Sequence, residues 1–384
     1  MTSYQDAEAV VETRGPRRRI PVDIVISDGE CSIAGARYKL SMKEGSLRDH
    51  NRDFVDEMGE VRKAVNRTRS LKLDPVFYQK VMRNLREMGL SAYVALGDQV
   101  RKCLSGYEER ANGVGLEITV QTESHSLLWE FMYTGSHTGP VDPSLFWGYR
   151  HSIGRFLPDA RFLPIEIDPW GGFLFCWNDS LKHWEAEMRA LNRLVDERYF
   201  VNLDDCLNKL GSECDQLEPY NQVLWVFTRS HPFSFVHIAS HLVDPRTSKL
   251  RAFLKITCRN GNVEISIRQL NAARAAWHFR ENPLVFLNAC QTMTSPEQLG
   301  QEESFPGSFL GLGAGAVIAT ACDVPDLFAV EFAHKFYEIF LDRDHCPTAG
   351  DALRQTRKFF IDHYNNPLGL AYGLYGHNDL TIYW

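Results

Sequence analysis

The chain has 384 residues, 44% of them hydrophobic, and is long enough to enclose a substantial core. Its net charge of −7 is modest and includes no long run of one sign, which argues against electrostatic binding along a nucleic acid. No apolar stretch reaches the roughly 18 residues that a membrane span needs, and the N-terminus lacks the apolar segment of a secretory signal. We therefore expect a cytoplasmic protein with no membrane contact.

The nine cysteines are scattered and include no Cys-x-x-Cys pair. This pattern argues against both a disulfide framework and a zinc knuckle. Most of these cysteines are expected to be reduced, buried and inert, as free cysteines usually are. That interpretation applies to Cys31, Cys103, Cys176, Cys206, Cys214, Cys258 and Cys346.

The N-terminal part of the chain is predicted to contain strands followed by helices. Residues 1–19 are polar, include an arginine cluster at 17–19, and are expected to form a disordered, solvated tail. Strands are predicted at 20–27 and 36–42, joined by a turn. Between 51 and 110, apolar residues recur at helical spacing, which predicts a helical segment leading into a sheet.

From residue 116 onward, predicted strands alternate with amphipathic helices, which is typical of a doubly wound α/β sheet. One composite domain is predicted over 20–384, with a strand and helical part at 20–115 and the α/β core at 116–384. Strands are predicted at 116–121, 171–176, 222–227, 235–240, 284–289 and 315–321, with a hairpin around Asn260-Gly261. Helices are predicted at about 179–195, 202–214, 269–279, 297–312, 325–342 and 348–364.

Two short blocks carry the candidate chemistry. Phe-Val-His-Ile-Ala-Ser-His ends at His241, and Leu-Val-Phe-Leu-Asn-Ala-Cys-Gln-Thr contains Cys290, 49 residues later. Each begins as an apolar run and breaks off at a reactive side chain, as expected of a buried parallel strand that delivers a catalytic group to the carboxyl edge of a sheet. A thiol at its ordinary pKa needs a nearby imidazole to take its proton. The blocks therefore predict a cysteine nucleophile with a histidine base, in the caspase-type order.

Two other interpretations apply to these residues. Cys290 could be an ordinary core cysteine at a strand end. His237 also competes with His241, but it lies about 13 Å back along the strand on the same face and is expected to be buried and hydrogen-bonded. A metal site made of the two histidines is disfavoured, since histidines four residues apart suit a helix and this segment is predicted to be a strand.

These blocks resemble a known family. His-Ile-Ala-Ser-His (237–241) and Leu-Asn-Ala-Cys-Gln-Thr (287–292) are similar to the two signature blocks of CHAT-domain peptidases, which are relatives of caspases and separase. The resemblance continues through 307–320, the Asp-Val-Pro-Asp segment ending at Asp326, and the closing block 372–380. It implies a caspase-like three-layer αβα sandwich with a mostly parallel central sheet, N-terminal strands and a helical decoration.

The resemblance also implies roles for individual residues. Cys290 would attack a peptide carbonyl to give a thioester, and His241 would act first as base and then as acid. The backbone amides of Leu242 and Cys290 would form the oxyanion hole, although the family usually has glycine where this chain has Leu242. Asp326 and Asp323 would bind a basic P1 side chain, the alternative being a helix N-cap.

The function implied is that of a cysteine endopeptidase with a Cys-His dyad, acting without metal or cofactor in a bacterial defence or signalling module. Its partners would be a protein substrate, such as a co-encoded effector, and an activating protein. A catalytically silent caspase-like scaffold is the alternative, which Leu242 favours, and a hydrolase of non-peptide thioesters or amides would use the same dyad. Asp244 and Asn288 are candidates for orienting the histidine.

Overall fold

The structure is a computed structural model that describes residues 19–27, 30–40, 44–122, 127–156, 164–195, 198–209, 217–243, 252–258, 261–289, 292–293 and 304–384. Cys290, Cys214 and Asp244 lie outside the described residues, as does the predicted tail except for Arg19. The Arg19 guanidinium pairs with the Asp351 carboxylate at 2.6 Å. The described chain is thus anchored from its first residue.

The elements alternate between strands and helices over most of the chain. The strands are β1 (Ile20–Ser27), β2 (Glu30–Ile33), β3 (Ala36–Lys39), β4 (Leu116–Thr122), β5 (Ser152–Phe156), β6 (Glu166–Ile167), β7 (Gly172–Trp177), β8 (Phe200–Asn202), β9 (Phe233–Val243), β10 (Phe253–Cys258), β11 (Gly261–Ser266), β12 (Leu284–Ala289), β13 (Ala316–Thr320), β14 (Tyr372–Tyr375) and β15 (Thr381–Ile382). The helices are α1 (Glu44–Thr68), α2 (Pro75–Ala95), α3 (Asp98–Ala111), α4 (Trp147–Arg150), α5 (Trp184–Leu194), α6 (Leu203–Asn208), α7 (Pro219–Trp225), α8 (Ile267–Ala273), α9 (Phe305–Gly311), α10 (Asp326–Phe340) and α11 (Ala349–Tyr364).

Within the described ranges, thirteen strands form one sheet, in the order β11-β10-β9-β12-β13-β14-β5-β4-β1-β2-β3, with β7 paired to β9 and β8 paired to β7. Strands β8, β7, β9, β12 and β13 run parallel to one another, and β14, β5, β4 and β1 form a second parallel set. The two sets meet at β13 and β14, which pair antiparallel. Apart from the antiparallel outer strands β2, β3, β10 and β11, the sheet is therefore made of two parallel halves that run in opposite directions.

The middle of the sheet is covered on both faces, because every residue of β12 and β13 is buried. On one face, the Tyr337 ring of α10 packs against Phe235 and His237 of β9 and Phe286 of β12. Helix α5 packs against α10 on this face. These aromatic contacts form the core directly beneath the ends of β9 and β12.

A buried charge network ties the second parallel half together. The Glu130 carboxylate pairs with both terminal nitrogens of Arg155 in β5, one of them at 2.7 Å, and Arg357 of α11 lies 3.3 Å away from it. All three side chains are at most 1% exposed. Arg357 also donates to the Tyr372 carbonyl at 2.6 Å, which connects the network to β14. Loss of any one partner would leave an uncompensated charge in the core, which is strongly destabilising.

Most of the predicted architecture is confirmed. The chain forms an α/β fold with a mostly parallel central sheet and helices on both faces, preceded by N-terminal strands and helices. The strands predicted at 116–121, 171–176, 284–289 and 315–321 are present within one residue at each end. The hairpin is formed by β10 and β11, and its turn leads into Gly261, which has a φ of +113°.

One strand prediction is wrong, and one predicted strand is longer than expected. Residues 222–227 are helical, since α7 begins at Pro219 and continues as a π-helical segment through Ser230. A short apolar run alone does not separate a strand from a buried helix, and the proline at the first helical turn is the signal that decides here. The strand predicted at 235–240 is confirmed as part of β9, which extends from Phe233 to Val243 because β10 pairs with it beyond the end of β7.

Candidate active site

His241 stands where β9 leaves the core. Residues 233–240 are all buried, whereas His241 and Leu242 are half-buried. On β12, Asn288 lies opposite Ala239 and Ala289 lies opposite Ser240. His241 follows Ser240 in the chain, and Cys290, outside the described residues, follows Ala289. Two neighbouring parallel strands thus lead, in matching register, to the two predicted catalytic residues.

The His241 side chain lines two adjoining clefts. The first, which we call the inner pocket, lies between β9, β12 and the ends of α5 and α10, and is lined in part by His183, Glu187, His241, Asn288, Ala289 and Asp326. The second, the outer groove, is a larger depression of about 890 Å³ beside α1, lined in part by Arg62, Arg69, Lys182, His241, Asp323 and Asp326. His241 and Asp326 therefore face the same space from different elements.

Asp326 is the first residue of α10, and the N-cap position belongs to Pro325. The Asp326 carboxylate accepts the backbone N–H of Lys182 at 3.1 Å, so it joins α10 to the loop before α5. No cation of the described residues pairs with it. The N-cap alternative is therefore wrong for Asp326, although an acidic residue in the first turn still interacts favourably with the helix dipole.

Asp323 is in a different situation. Its Oδ2 accepts from Arg62 Nη1 of α1 at 2.6 Å, and both side chains are about one-third exposed. The outer groove is thereby closed on one side by an ion pair between the N-terminal helix and the loop after β13. Of the two predicted substrate carboxylates, only Asp326 faces both clefts without a cationic partner in the described part of the chain.

A buried hydrogen-bond chain lies beneath His241. His237 is completely buried, as expected, and its Nε2 donates to Glu187 Oε1 at 2.9 Å. Asn288 Nδ2 donates to the same oxygen at 2.5 Å, and Asn288 Oδ1 accepts the Tyr372 hydroxyl at 2.9 Å. Both ends of the Asn288 amide are thus engaged away from His241. Of the two candidates for orienting His241, Asn288 belongs instead to this buried hydrogen-bond network, and Asp244 lies outside the described residues.

The backbone at Leu242 is ordinary extended strand. Leu242 pairs with Leu254 of β10 and lines the outer groove, and it is not among the described residues with a positive φ. The neighbouring Ser240 hydroxyl bridges to β10, donating to the Lys255 carbonyl at 2.8 Å and accepting the Lys255 N–H at 3.0 Å. A residue other than glycine is therefore accommodated at position 242 without strain.

Three residues at the site were missed by the sequence analysis: Glu187, His183 and Arg62. Each belongs to a helix or its cap, where charged residues are normally solvated, so none carried a catalytic signal. A weak signal existed for Glu187, which lies four residues before the buried Leu191 and hence on the same face of α5.

Cys31, Cys176 and Cys258 are buried free thiols, as predicted, whereas Cys103 and Cys206 are half-buried and the prediction of a buried thiol is wrong for Cys346, which is exposed. Burial raises the pKa of Cys31 and Cys258 to about 12 and that of Cys206 to about 11, and raises that of Cys176 well above its ordinary value. Within the described ranges, no group of three His, Cys, Asp or Glu side chains is arranged to hold a metal ion. None of the helices in those ranges is both long and apolar enough to span a bilayer.

Comparison with known proteins gives matches of three kinds. The sequence model of the CHAT domain family matches residues 175–384. A probable protease of Vitiosangium sp. (strain GDMCC 1.1324) is 38% identical over 92 residues, which is 24% of this chain and 11% of that protein. The matched segment thus spans about a tenth of the length of that curated relative.

Solved structures of low sequence identity also match. The complex of RgpB pro- and mature domains from Porphyromonas gingivalis is 11% identical, with 80% of this chain and 70% of that chain covered and a TM-score of 0.45. The separase–securin complex from Saccharomyces cerevisiae is 13% identical, with 89% of this chain and 23% of that chain covered and a TM-score of 0.44.

Proposed function

Because this chain belongs to the CHAT domain family, we propose that it is a cysteine endopeptidase in which Cys290 is the nucleophile and His241 is the general base. The observation that carries the proposal is the register of β9 and β12. Ser240 and Ala289 are partners in adjacent parallel strands, and His241 and Cys290 are the next residues along the chain. His241 is also half-buried and faces two clefts. This placement suits a general base, which must reach both the thiol and the substrate.

The reaction would proceed in two steps. His241 takes the proton of the Cys290 thiol, and the thiolate attacks the peptide carbonyl to form a tetrahedral intermediate. The backbone N–H groups of Leu242 and Cys290 would stabilise its oxyanion. When the intermediate collapses, His241 gives its proton to the leaving amine, and water then hydrolyses the thioester with His241 again as base.

The P1 side chain would be basic, and Asp326 would bind it. Asp326 faces the inner pocket and the outer groove, and its carboxylate carries only a backbone hydrogen bond among those described. Asp323 is a weaker candidate, because Arg62 already neutralises it. A carboxylate at this position would select Lys or Arg by a charge-assisted hydrogen bond.

The partners would be proteins. The substrate would be a polypeptide, such as an effector encoded beside this chain in a bacterial defence or signalling module, and a second protein would activate the peptidase. The catalytically silent scaffold is the competing function. Leu242 supports that alternative less than the sequence suggested, since the strand accommodates it without strain.

The test is covalent labelling followed by intact-mass measurement. Peptidyl acyloxymethyl ketones with Arg, Lys, Asp, Asn or Leu at P1 would be incubated with the wild type, with Cys290→Ala and with His241→Ala. Cys290-dependent labelling, fastest with Arg or Lys, is expected. Labelling fastest with another P1 residue would overturn the role of Asp326 but keep the peptidase. Absence of labelling by every probe would count against the peptidase and for the scaffold.

A further inference from the structure

Glu187 is a buried carboxylate at the floor of the site. It lies on α5, is 2% exposed, and lines the inner pocket beside His241. A carboxylate removed from water needs compensating donors, because desolvation of an unpaired charge is very costly. No Arg or Lys of the described residues supplies one. The donors are two side chains from the sheet, His237 and Asn288.

Both donors meet at a single atom. Glu187 Oε1 accepts from His237 Nε2 at 2.9 Å and from Asn288 Nδ2 at 2.5 Å. His237 belongs to β9 and Asn288 to β12, so one oxygen from a helix bridges the two strands. The bridge sits four residues before His241 and two residues before Cys290.

Each donor is itself held in place. The His237 ring lies parallel to Phe175 at 5.5 Å between centroids and contacts Phe286 at 5.2 Å. His237 Nδ1 is buried and has no hydrogen-bond partner in the described part of the chain, so Glu187 is the polar anchor of this ring. On the other side, the Tyr372 hydroxyl fixes the Asn288 amide at 2.9 Å.

We propose that Glu187 is a positioning residue that fixes the end of β9 relative to the end of β12, and so sets the placement of His241 against Cys290. The inference rests on the proposed dyad. Such positioning matters because the reaction requires precise placement of the catalytic groups, and a misplacement of about 1 Å can lower the rate about a hundredfold. The β9–β12 ladder alone resists sliding of the strands, and the bridge adds a constraint at the point where the ladder ends.

The readout that separates positioning from simple stabilisation is the pH dependence of Cys290 alkylation. An imidazolium held close to a cysteine favours the thiolate, so a well-placed His241 moves the pH midpoint of alkylation downward. The other groups facing the two clefts at His241 are His183, Asp326, Asp323, Arg62, Arg69 and Lys182, and Lys255 lies opposite His241 on β10. Tyr337, which packs against His237, does not titrate in this range, because burial and the charge of Glu187 raise the pKa of the Tyr337 hydroxyl.

The experiment measures iodoacetamide alkylation of the Cys290 peptide by mass spectrometry between pH 5 and 9, with thermal unfolding recorded for every variant. Glu187→Met keeps the volume but removes the bridging oxygen, and its midpoint is expected to rise toward that of His241→Ala. Each unit of rise slows alkylation about tenfold at pH values below the midpoint. Glu187→Gln keeps the oxygen and is expected to retain the wild-type midpoint. Glu185→Gln, on the exposed face of α5, is the matched control.

The outcomes are distinct. A wild-type midpoint in folded Glu187→Met overturns the positioning role, whatever its unfolding temperature. If Glu187→Met does not fold, Tyr372→Phe is the deciding variant, because it frees one end of the Asn288 amide. Its alkylation midpoint is expected to rise, but by less than that expected for Glu187→Met. An unchanged midpoint in Tyr372→Phe would then overturn the inference. If His241→Ala itself has the wild-type midpoint, the proposed dyad is wrong, and the inference falls with it.

Discussion

Arg62 of the N-terminal helix α1 forms an ion pair with Asp323 after β13, with 2.6 Å between Nη1 and Oδ2. The two residues are 261 positions apart in the sequence. The contact brings the helical segment to the edge of the outer groove, within the same cleft as His241. The N-terminal segment therefore takes part in forming the candidate substrate groove.

Replacing Arg62 tests this contact. In Arg62→Gln, the freed Asp323 carboxylate makes the groove more negative, and we expect severalfold faster labelling by the probe with Arg at P1, since clefts of one sign concentrate oppositely charged ligands. Unfolding should become easier by less than about 1 kcal/mol, because the pair is partly solvated. Arg67→Gln makes the same change in charge at an exposed position of α1. Equal acceleration in both variants would contradict a specific role for Arg62.

The two candidate P1 carboxylates can be separated by substitution. Asp326→Asn should slow labelling by Arg and Lys probes about tenfold to a hundredfold, corresponding to the roughly 1.5–3 kcal/mol of a hydrogen bond to a charged group. Labelling by the Leu probe should be little affected, because that side chain does not use the carboxylate. Asp323→Asn serves as the comparison and should have the smaller effect. A larger loss in Asp323→Asn would reverse the assignment.

The buried network around Glu130 predicts acid sensitivity. Burial alone would raise the pKa of the Glu130 carboxyl, but the charges of Arg155 and Arg357 outweigh it and hold the pKa below its usual range. The stabilisation is therefore complete above the unfolded-state pKa of about 4.3 and is lost as pH falls through the lower folded-state value. Urea unfolding between pH 3 and 7 should show a fall in the free energy of unfolding at the acid end.

Glu130→Ala provides the matching variant. It leaves Arg155 and Arg357 buried without their counter-charge, which should cost about 3–5 kcal/mol at pH 7. Because the titrating group is gone, the difference between variant and wild type should narrow as pH approaches 3. A constant difference across that range would contradict the assignment of the acid-labile stability to Glu130.

His151 predicts a second pH effect, at milder acidity. Its Nδ1 accepts the Leu116 N–H at 2.9 Å, so Nε2 carries the proton and donates to Glu108 at 3.0 Å. Burial lowers the pKa of His151, with Glu108 opposing the shift. Below about pH 6.5, His151 is therefore protonated more readily in the unfolded chain than in the folded chain. The free energy of unfolding should fall as pH drops below that value.

The measurement is the unfolding temperature at pH 7.5 and pH 5.5 for the wild type and His151→Gln. The substitution should lower the unfolding temperature at pH 7.5 by removing the bond to Leu116, while reducing the further loss at pH 5.5. His345→Gln, at a well exposed histidine, should leave the pH dependence as in the wild type. An undiminished loss in His151→Gln would assign the effect to another group.

The parts of the fold that local patterns describe were predictable. The strands leading to His241 and Cys290 are apolar runs that end at polar residues, and the buried state of His237 followed from strand alternation. The short strand β14 was missed, because it is held by pairing with β13 and β5, to which no local periodicity points. Local sequence patterns carry little information about pairing partners that are distant in the sequence.

The same limit applies to the candidate site. Cys290 and His241 were predicted from the sequence blocks that contain them. The position of Glu187 at the site depends on the packing of α5 against β9 and β12, which the sequence does not indicate. Glutamate in an amphipathic helix is usually solvated, and its burial here depends on two donors that lie 50 and 101 residues further along the chain. The Arg62–Asp323 pair is distant in the same way.

The antiparallel junction of β13 with β14 separates two rims of the molecule. Strands β9, β12 and β13 end at the rim that carries His241, whereas β4, β5 and β14 run the opposite way and end at the far rim. The carboxyl ends of β5 and β14, at Phe156 and Tyr375, therefore lie on the side of the sheet away from the candidate catalytic cleft. A ligand or a reporter dye attached at that far rim would leave the approach of a polypeptide to His241 unobstructed.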